Sequence, residues 1–429
     1  MYKWHYSVGA FIIAVVLLLG TTATQGYAGP SSEGNGSQKP PRKILVFQGS
    51  FRDRAAQDAL LASLGAVKIK DLSIINGKAV YLPLKAELAL RSRPEVLRIE
   101  DDAFIQALPE AQGAKGQPGK PAPAPQPVES LPWGVNRIDA DLVWPTGNTG
   151  AGVKVSTLDT GIDLNHPDLV ANIKGSVNVI NPNKSAMDDN GHGTHVAGTI
   201  AAVDNDIGVI GVGPDTYLYA VKWLDRNGFG FLSDFIEAVQ WSRDNGMQVV
   251  NMSVGWSSDY QSIHDALIAA YNSGLVLVAA AGNSGPGDNT VGYPAKYAEV
   301  IAVAATCQSG GDVNGWCSGV DSVASFSSRG PDVELAAPGA YVPSTWKGGG
   351  YNTISGTSMA TPHVVGAAAL VIKSGLLTDL NGDGKIDNVD VRLRLQSTSD
   401  DLGAAGRDNA YGYGLVDAQE AATGVQTLP

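Results

Sequence analysis

The chain has 429 residues, 44% hydrophobic and 17% charged, a balance suited to a soluble globular protein with a full-sized core and room for additional domains. Its net charge of -12 leaves no Lys and Arg surplus, which argues against a nucleic-acid partner and leaves an acidic surface able to hold cations. Two cysteines, Cys307 and Cys317, are too few for a disulfide-built scaffold.

The chain opens on an export pattern. Lys3 and His5 precede an apolar run from Val8 to Leu19, with small and polar residues following through Ala28. The run is short for the ~20 residues of a membrane span, so residues 1–28 are expected to be a cleaved signal. The mature chain is then secreted, with no membrane attachment. Export permits a Cys307–Cys317 bridge across the polar Gly310-Gly311-Asp312 loop, with two free thiols as the alternative. Residues 29–42 are rich in Gly, Ser and Pro and are expected to be flexible.

Residues 43–108 have the pattern of a small folded unit. A strand at 44–47, a helix at 55–64, strands at 69–75 and 78–82 turning at Asn76-Gly77, a helix at 84–91 and a strand at 96–99 follow in order. That β-α-β-β-α-β order is the ferredoxin-like α+β arrangement. Residues 109–128, thick with Pro, Ala, Gly and Lys, form a linker.

Residues 129–424 change character. Apolar runs at 153–158, 218–222, 248–252, 275–281 and 300–304 alternate with helical patterns such as 235–245 and 263–273. The expectation is an α/β domain with a mostly parallel, doubly wound sheet covered on both faces. Function in such a sheet collects outside the carboxyl ends of the strands.

Three reactive groups fall where that rule places them. Asp159 closes the first of these strands in Leu158-Asp159-Thr160-Gly161. His192 opens a helix in Gly191-His192-Gly193-Thr194-His195. Ser358 begins a late helix in Gly356-Thr357-Ser358-Met359-Ala360-Thr361-Pro362. Pro362 is tolerated in the first turn of a helix, which puts Ser358 at or just before the N-terminus, at the positive end of the helix dipole. A serine hydroxyl needs a neutral imidazole to take its proton, and the imidazole needs a carboxylate to hold its tautomer. Asp159, His192 and Ser358 supply that set. His195, three residues past His192, reads as a buried supporting histidine, since no Glu completes a zinc-protease pattern. No Gly-x-Ser-x-Gly elbow surrounds Ser358, which disfavours another hydrolase class.

These three strings, in the order Asp, His, Ser, resemble the subtilisin family of serine proteases, and the resemblance runs from about Glu129 to Ala422. It implies a serine endopeptidase acting on proteins or peptides, with Asp159, His192 and Ser358 as the triad. It implies that Asn283, in Ala281-Gly282-Asn283-Ser284, donates to the tetrahedral oxyanion. Substrate is expected to lie as an added strand between Gly228-Phe229-Gly230 and Ser253-Val254-Gly255. Gly292 is expected at the base of the main specificity pocket, favouring large apolar side chains. The 43–108 unit resembles the family's inhibitory propeptide, an intramolecular partner whose end, near Leu108, the chain's own serine would cut. The competing reading is a catalytically silent module that its propeptide never leaves. A monomer is expected.

Calcium is the implied cofactor. Counting Asp379 as one, the segment Asp379, Asn381, Asp383, Lys385, Asp387, Asp390 has the spacing of an EF-hand or dockerin loop, with Gly384 at the turn and Lys385 offering only its carbonyl. By resemblance alone, a second site uses Glu129, Asp168 and the Asn205 side chain with the carbonyls of Val203, Ile207 and Val209. A weaker cation site near Ala295, Tyr297 and Val300 is also implied.

Overall fold

The computed structural model describes residues 39–106 and 126–426, which belong to one compact unit. The expected export signal, most of the segment expected to be flexible, the expected cleavage point near Leu108 and most of the expected linker lie outside the described residues.

The N-terminal unit runs β1 (Arg42–Phe47), α1 (Arg54–Ser63), β2 (Val67–Leu72), β3 (Gly77–Tyr81), α2 (Leu84–Arg91), β4 (Val96–Asp101). The strands form an antiparallel sheet in the order β2-β3-β1-β4. Asn76 makes the turn into β3 with a left-handed φ of 50°, and its side chain donates to the carbonyls of Phe47 and Gln48. Alternation along β1 divides the sheet between two cores. Leu45 and Phe47 pack with Leu61, Ala86 and Leu90 of the unit's own helices. Ile44 and Val46 face the other way, into a cluster shared with the large domain.

A short strand, β5 (Phe104–Gln106), follows, and the large domain then begins with α3 (Trp133–Arg137). It continues β6 (Lys154–Asp159), β7 (Ile173–Asn178), α4 (His192–Ala201), β8 (Tyr217–Lys222), β9 (Phe229–Phe231), α5 (Leu232–Asp244), β10 (Val249–Met252), α6 (Gln261–Tyr271), β11 (Val276–Ala280), β12 (Val300–Thr306) and β13 (Leu335–Pro338). The hairpin β14 (Val342–Trp346) and β15 (Gly350–Ile354) precedes α7 (Thr357–Ser374), α8 (Asn388–Ser397) and α9 (Ala418–Thr423).

Seven strands form a parallel sheet in the order β13-β12-β11-β10-β6-β8-β7. Its residues alternate between two covered faces. Val249, Val276, Val278, Ile301 and Val303 pack with the residues of α4 and α7. Val250, Met252, Leu277, Ala279 and Ala302 pack with α5 and α6. The doubly wound α/β architecture is the one the apolar runs imply, with β7, β13 and the β14–β15 hairpin added to them.

One expectation is corrected. Pro362 is the sixth residue of α7, past the first turn, and Ser358 is the second. Proline there leaves the Ser358 carbonyl without its i+4 donor. The hydroxyl of Ser253, just past β10, supplies the missing bond at 2.8 Å. A long-range partner therefore makes the proline tolerable.

Candidate active site

The carboxyl edge of the sheet gathers the reactive residues. Asp159 is the last residue of β6, fully buried, and accepts the Thr160 N–H at 2.7 Å. His192 is the first residue of α4, and its Nδ1 lies 2.8 and 2.9 Å from the two Asp159 carboxylate oxygens. The close approach depends on Gly193, where a Cβ would collide with the Gly161 carbonyl and stand 3.1 Å from Asp159 Oδ1.

Asp188, which the motif strings did not single out, holds this helix start. Its Oδ1 accepts from Thr160 Oγ1 at 2.9 Å and from the Gly191 N–H at 2.9 Å. Its Oδ2 accepts from the Thr194 N–H and hydroxyl at 3.0 and 2.6 Å. Thr160 Oγ1 in turn accepts the Gly193 N–H at 3.1 Å. The signal available in sequence was the run Asp188-Asp189-Asn190-Gly191, rich in turn formers just ahead of a helix. His195 is fully buried, bonded through Nε2 to the Val342 carbonyl at 3.0 Å, and burial lowers its pKa to about 3. It is therefore a neutral packing residue.

Ser358 lies where α7 begins, and α7 packs against α4. Its hydroxyl donates to the Ser253 carbonyl at 3.2 Å, reciprocating the Ser253 bond. Asn283 follows β11, and its side-chain oxygen accepts both the Thr357 N–H and the Thr357 hydroxyl at 3.0 Å. Those two donors fix the amide's orientation. Nδ2 is the end directed toward Gly356, 3.4 Å from where a Cβ there would stand.

The expected substrate edges lie on the same rim. Gly228, with φ +77°, turns the chain into β9, which carries Phe229 and Gly230. A Cβ on Gly230 would collide with the Trp223 carbonyl, so only glycine lets β9 lie this close. Ser253, Val254 and Gly255 leave β10 as a buried segment. Gly292 donates to the Ala281 carbonyl at 2.9 Å, and a Cβ there would stand 3.0 Å from the Trp256 carbonyl. Strand β5 pairs antiparallel with β9, so a stretch of the N-terminal unit lies along one of these edges. Cys307, which follows the carboxyl end of β12, is joined to Cys317 by a disulfide.

The residues suggested for a cation differ in fit. Asp168 is fully buried, its Oδ2 accepting the Val209 N–H at 3.1 Å. Its Oδ1 has no hydrogen bond, and neither has the nearby Tyr351 hydroxyl, which burial and the Asp168 charge hold protonated above its ordinary range. Burial pushes the Asp168 carboxyl up to about 6. Glu129 accepts the Asn205 N–H at 2.9 Å and is also raised, by burial and by the Asp204 charge. An orphaned, buried carboxylate oxygen beside raised acids fits a bound cation. In the 379–390 loop the acids bind the backbone instead. Asp379 accepts from Gly382, Asp383 and Gly384, and Asp390 accepts from Leu380 and Asp387 through its two oxygens. Near Ala295, the Tyr297 carbonyl accepts the Val300 N–H at 3.0 Å. Among the described residues no three His, Cys, Asp or Glu side chains converge as a metal cluster would.

A buried Asp–His pair at the carboxyl rim of a parallel sheet, with a serine at a nearby helix N-terminus, is the arrangement of a serine hydrolase. Comparison with known proteins narrows the class. Residues 150–414 match the model of the subtilase family of peptidases. Subtilisin Savinase of Lederbergia lenta is 45% identical over 294 residues, covering 68% of this chain and 99% of that protein. An alkaline protease of Alkalihalobacillus alcalophilus is 42% identical over 333 residues, 78% of this chain and 76% of its own length. Subtilisin amylosacchariticus, from Bacillus subtilis subsp. amylosacchariticus, is 36% identical over 416 residues, 96% of this chain and 98% of its own. The chain belongs to the subtilase family and is a subtilisin-like serine endopeptidase.

Proposed function

We propose that this is a secreted, calcium-stabilised endopeptidase, made as a precursor that processes itself. Asp159, His192 and Ser358 act as the triad, and the observation carrying the assignment is the Asp159–His192 pair. With the Nδ1 proton held by the carboxylate, the imidazole presents Nε2 as the base for the serine hydroxyl. Asn283, oriented by Thr357, donates to the developing oxyanion, a kind of contribution worth roughly 10²–10³ in rate. The α7 dipole adds to it. Residues 43–108 are the inhibitory propeptide, and the β5–β9 pairing is the support for that reading, because it occupies an edge on which a peptide would lie. Gly292 leaves the main pocket roomy, which favours large apolar side chains before the scissile bond.

Calcium, when bound, supplies charge compensation and cross-links loops. Glu129, Asp168 and Asn205 with the carbonyls of Val203, Ile207 and Val209 would hold one ion. The 379–390 loop would hold another through Asp379, Asn381, Asp383, Asp387, Asp390 and the Lys385 carbonyl.

The test is maturation. Incubated with calcium, the wild-type precursor is expected to shorten and then to react with a fluorophosphonate probe at Ser358. Ser358→Ala is expected to stay full length and unlabelled. A wild-type chain that never shortens would favour the silent module, and labelling that survives the alanine change would remove Ser358 from its role.

A further inference from the structure

Strand β9 carries two phenylalanines either side of Gly230. The β5–β9 register sets Phe104 opposite Phe231, Ile105 opposite Gly230 and Gln106 opposite Phe229. Residues alternate across a strand, so the two faces of this ribbon differ. Ile105 turns inward, 8% exposed, into the core cluster of Leu232 and Phe235. Phe104 turns outward, 44% exposed, onto both phenylalanines. Its ring stacks on Phe229 at 5.3 Å between centroids and 10° between planes, and meets Phe231 at 4.8 Å and 51°. The guanidinium of Arg42 covers Phe231 as well, 3.5 Å from its centroid.

Both covers, Phe104 and Arg42, belong to the unit that maturation removes in the proposed function, on which this inference rests. With them gone, Phe229 loses the Phe104 ring and Phe231 loses both that ring and the Arg42 cation, at an edge where a substrate strand takes the place of β5. We propose that Phe229 and Phe231 form an aromatic subsite that selects substrates carrying a Phe, Tyr or Trp at the residue pairing with Phe231. The subsite faces outward and reads a side chain two residues from the one opposite Phe229. It is therefore separate from the pocket that takes the residue before the scissile bond.

Peptides with leucine fixed before the scissile bond, and a single phenylalanine walked through the upstream residues of an otherwise alanine background, test this on the processed enzyme. Offset-stacked and edge-to-face pairs with two rings should raise kcat/KM roughly tenfold over the all-alanine peptide at one upstream position. In Phe229→Ser and in Phe231→Ser that ratio should fall toward one, while Phe231→Tyr should keep it. The ratio compares two peptides on one enzyme, so it reads selectivity whatever the variant's absolute rate. Equal cleavage wherever the phenylalanine stands, or a ratio untouched in both serine variants, would overturn the subsite and leave the endopeptidase intact. Failure of the wild type to cut any peptide would bring down the proposed function and the subsite together.

Discussion

Asp417 caps α9, with its carboxylate accepting the Glu420 N–H at 2.8 Å while only 2% of the residue is exposed. Burial, with the neighbouring acids Asp400, Asp139 and Glu420, pushes its pKa up to about 6. The unfolded carboxyl titrates near 3.9. The folded state thus holds the proton more tightly, and this group's effect on stability worsens as pH rises from about 4 to about 6, then levels off. Asp417→Asn keeps the acceptor and removes the charge. In a Ser358→Ala background, which prevents self-digestion, it is expected to gain about 1–2 kcal/mol at pH 7–8 and nothing at pH 4, read by thermal melts across that range. At this scale much of the candidate site was legible. Asp159, His192 and Ser358 sit in strings whose residue types point to a chemistry, and Asn283 was legible through the family resemblance. Asp188 and Thr357 were not legible as orienting groups, because their roles exist only once the strands and helices that carry their partners have come together.

Helix α7 shows how an element can be incomplete by itself. Its proline strands a carbonyl in the core, and a serine more than a hundred residues earlier satisfies it. Ser253→Ala should leave that carbonyl unpaired and cost about 1–3 kcal/mol in denaturant unfolding, again on the Ser358→Ala background. Adding Pro362→Ala restores an N–H within the helix and should recover most of the loss. If the two changes proved additive, the link between Ser253 and the proline would fail. Long apolar runs revealed β6, β8, β10, β11 and β12 because a strand buried on both faces needs them. The strands that escaped have physical reasons to do so. Strand β7 is a half-exposed edge containing Gly175. Strand β13 has four residues and ends in proline, and β14 mixes Pro343 with Ser344 and Thr345. Such segments are strands by virtue of their neighbours.

Across the whole molecule, the cation reading makes a differential prediction. Chelator should lower the unfolding temperature of the processed enzyme. Asp168→Asn should remove more of that sensitivity than Asp379→Ala combined with Asp383→Ala, since of these three acids Asp168 is the one with a buried oxygen lacking a hydrogen bond. The reverse ranking would move the main site to the 379–390 loop. The βαββαβ order of the N-terminal unit was legible from pattern. Its docking was not, because that depends on which face of β1 meets which helices.

That docking is intimate. Asp102 accepts the Ser233 N–H at 2.9 Å and Glu100 accepts the Ser262 N–H at 3.2 Å, so two acids of the N-terminal unit terminate α5 and α6. Lys70 pairs with Asp234 and Glu237, and Arg98 with Asp265. A ligand that binds only the native state deepens that state's well, and its departure makes the well shallower. In the proposed maturation, the chain folds with this companion attached and then works without it. The enzyme in service would be assembled under one set of odds and preserved under poorer ones, and a mature chain once melted would find the way back less favourable than the way it first came.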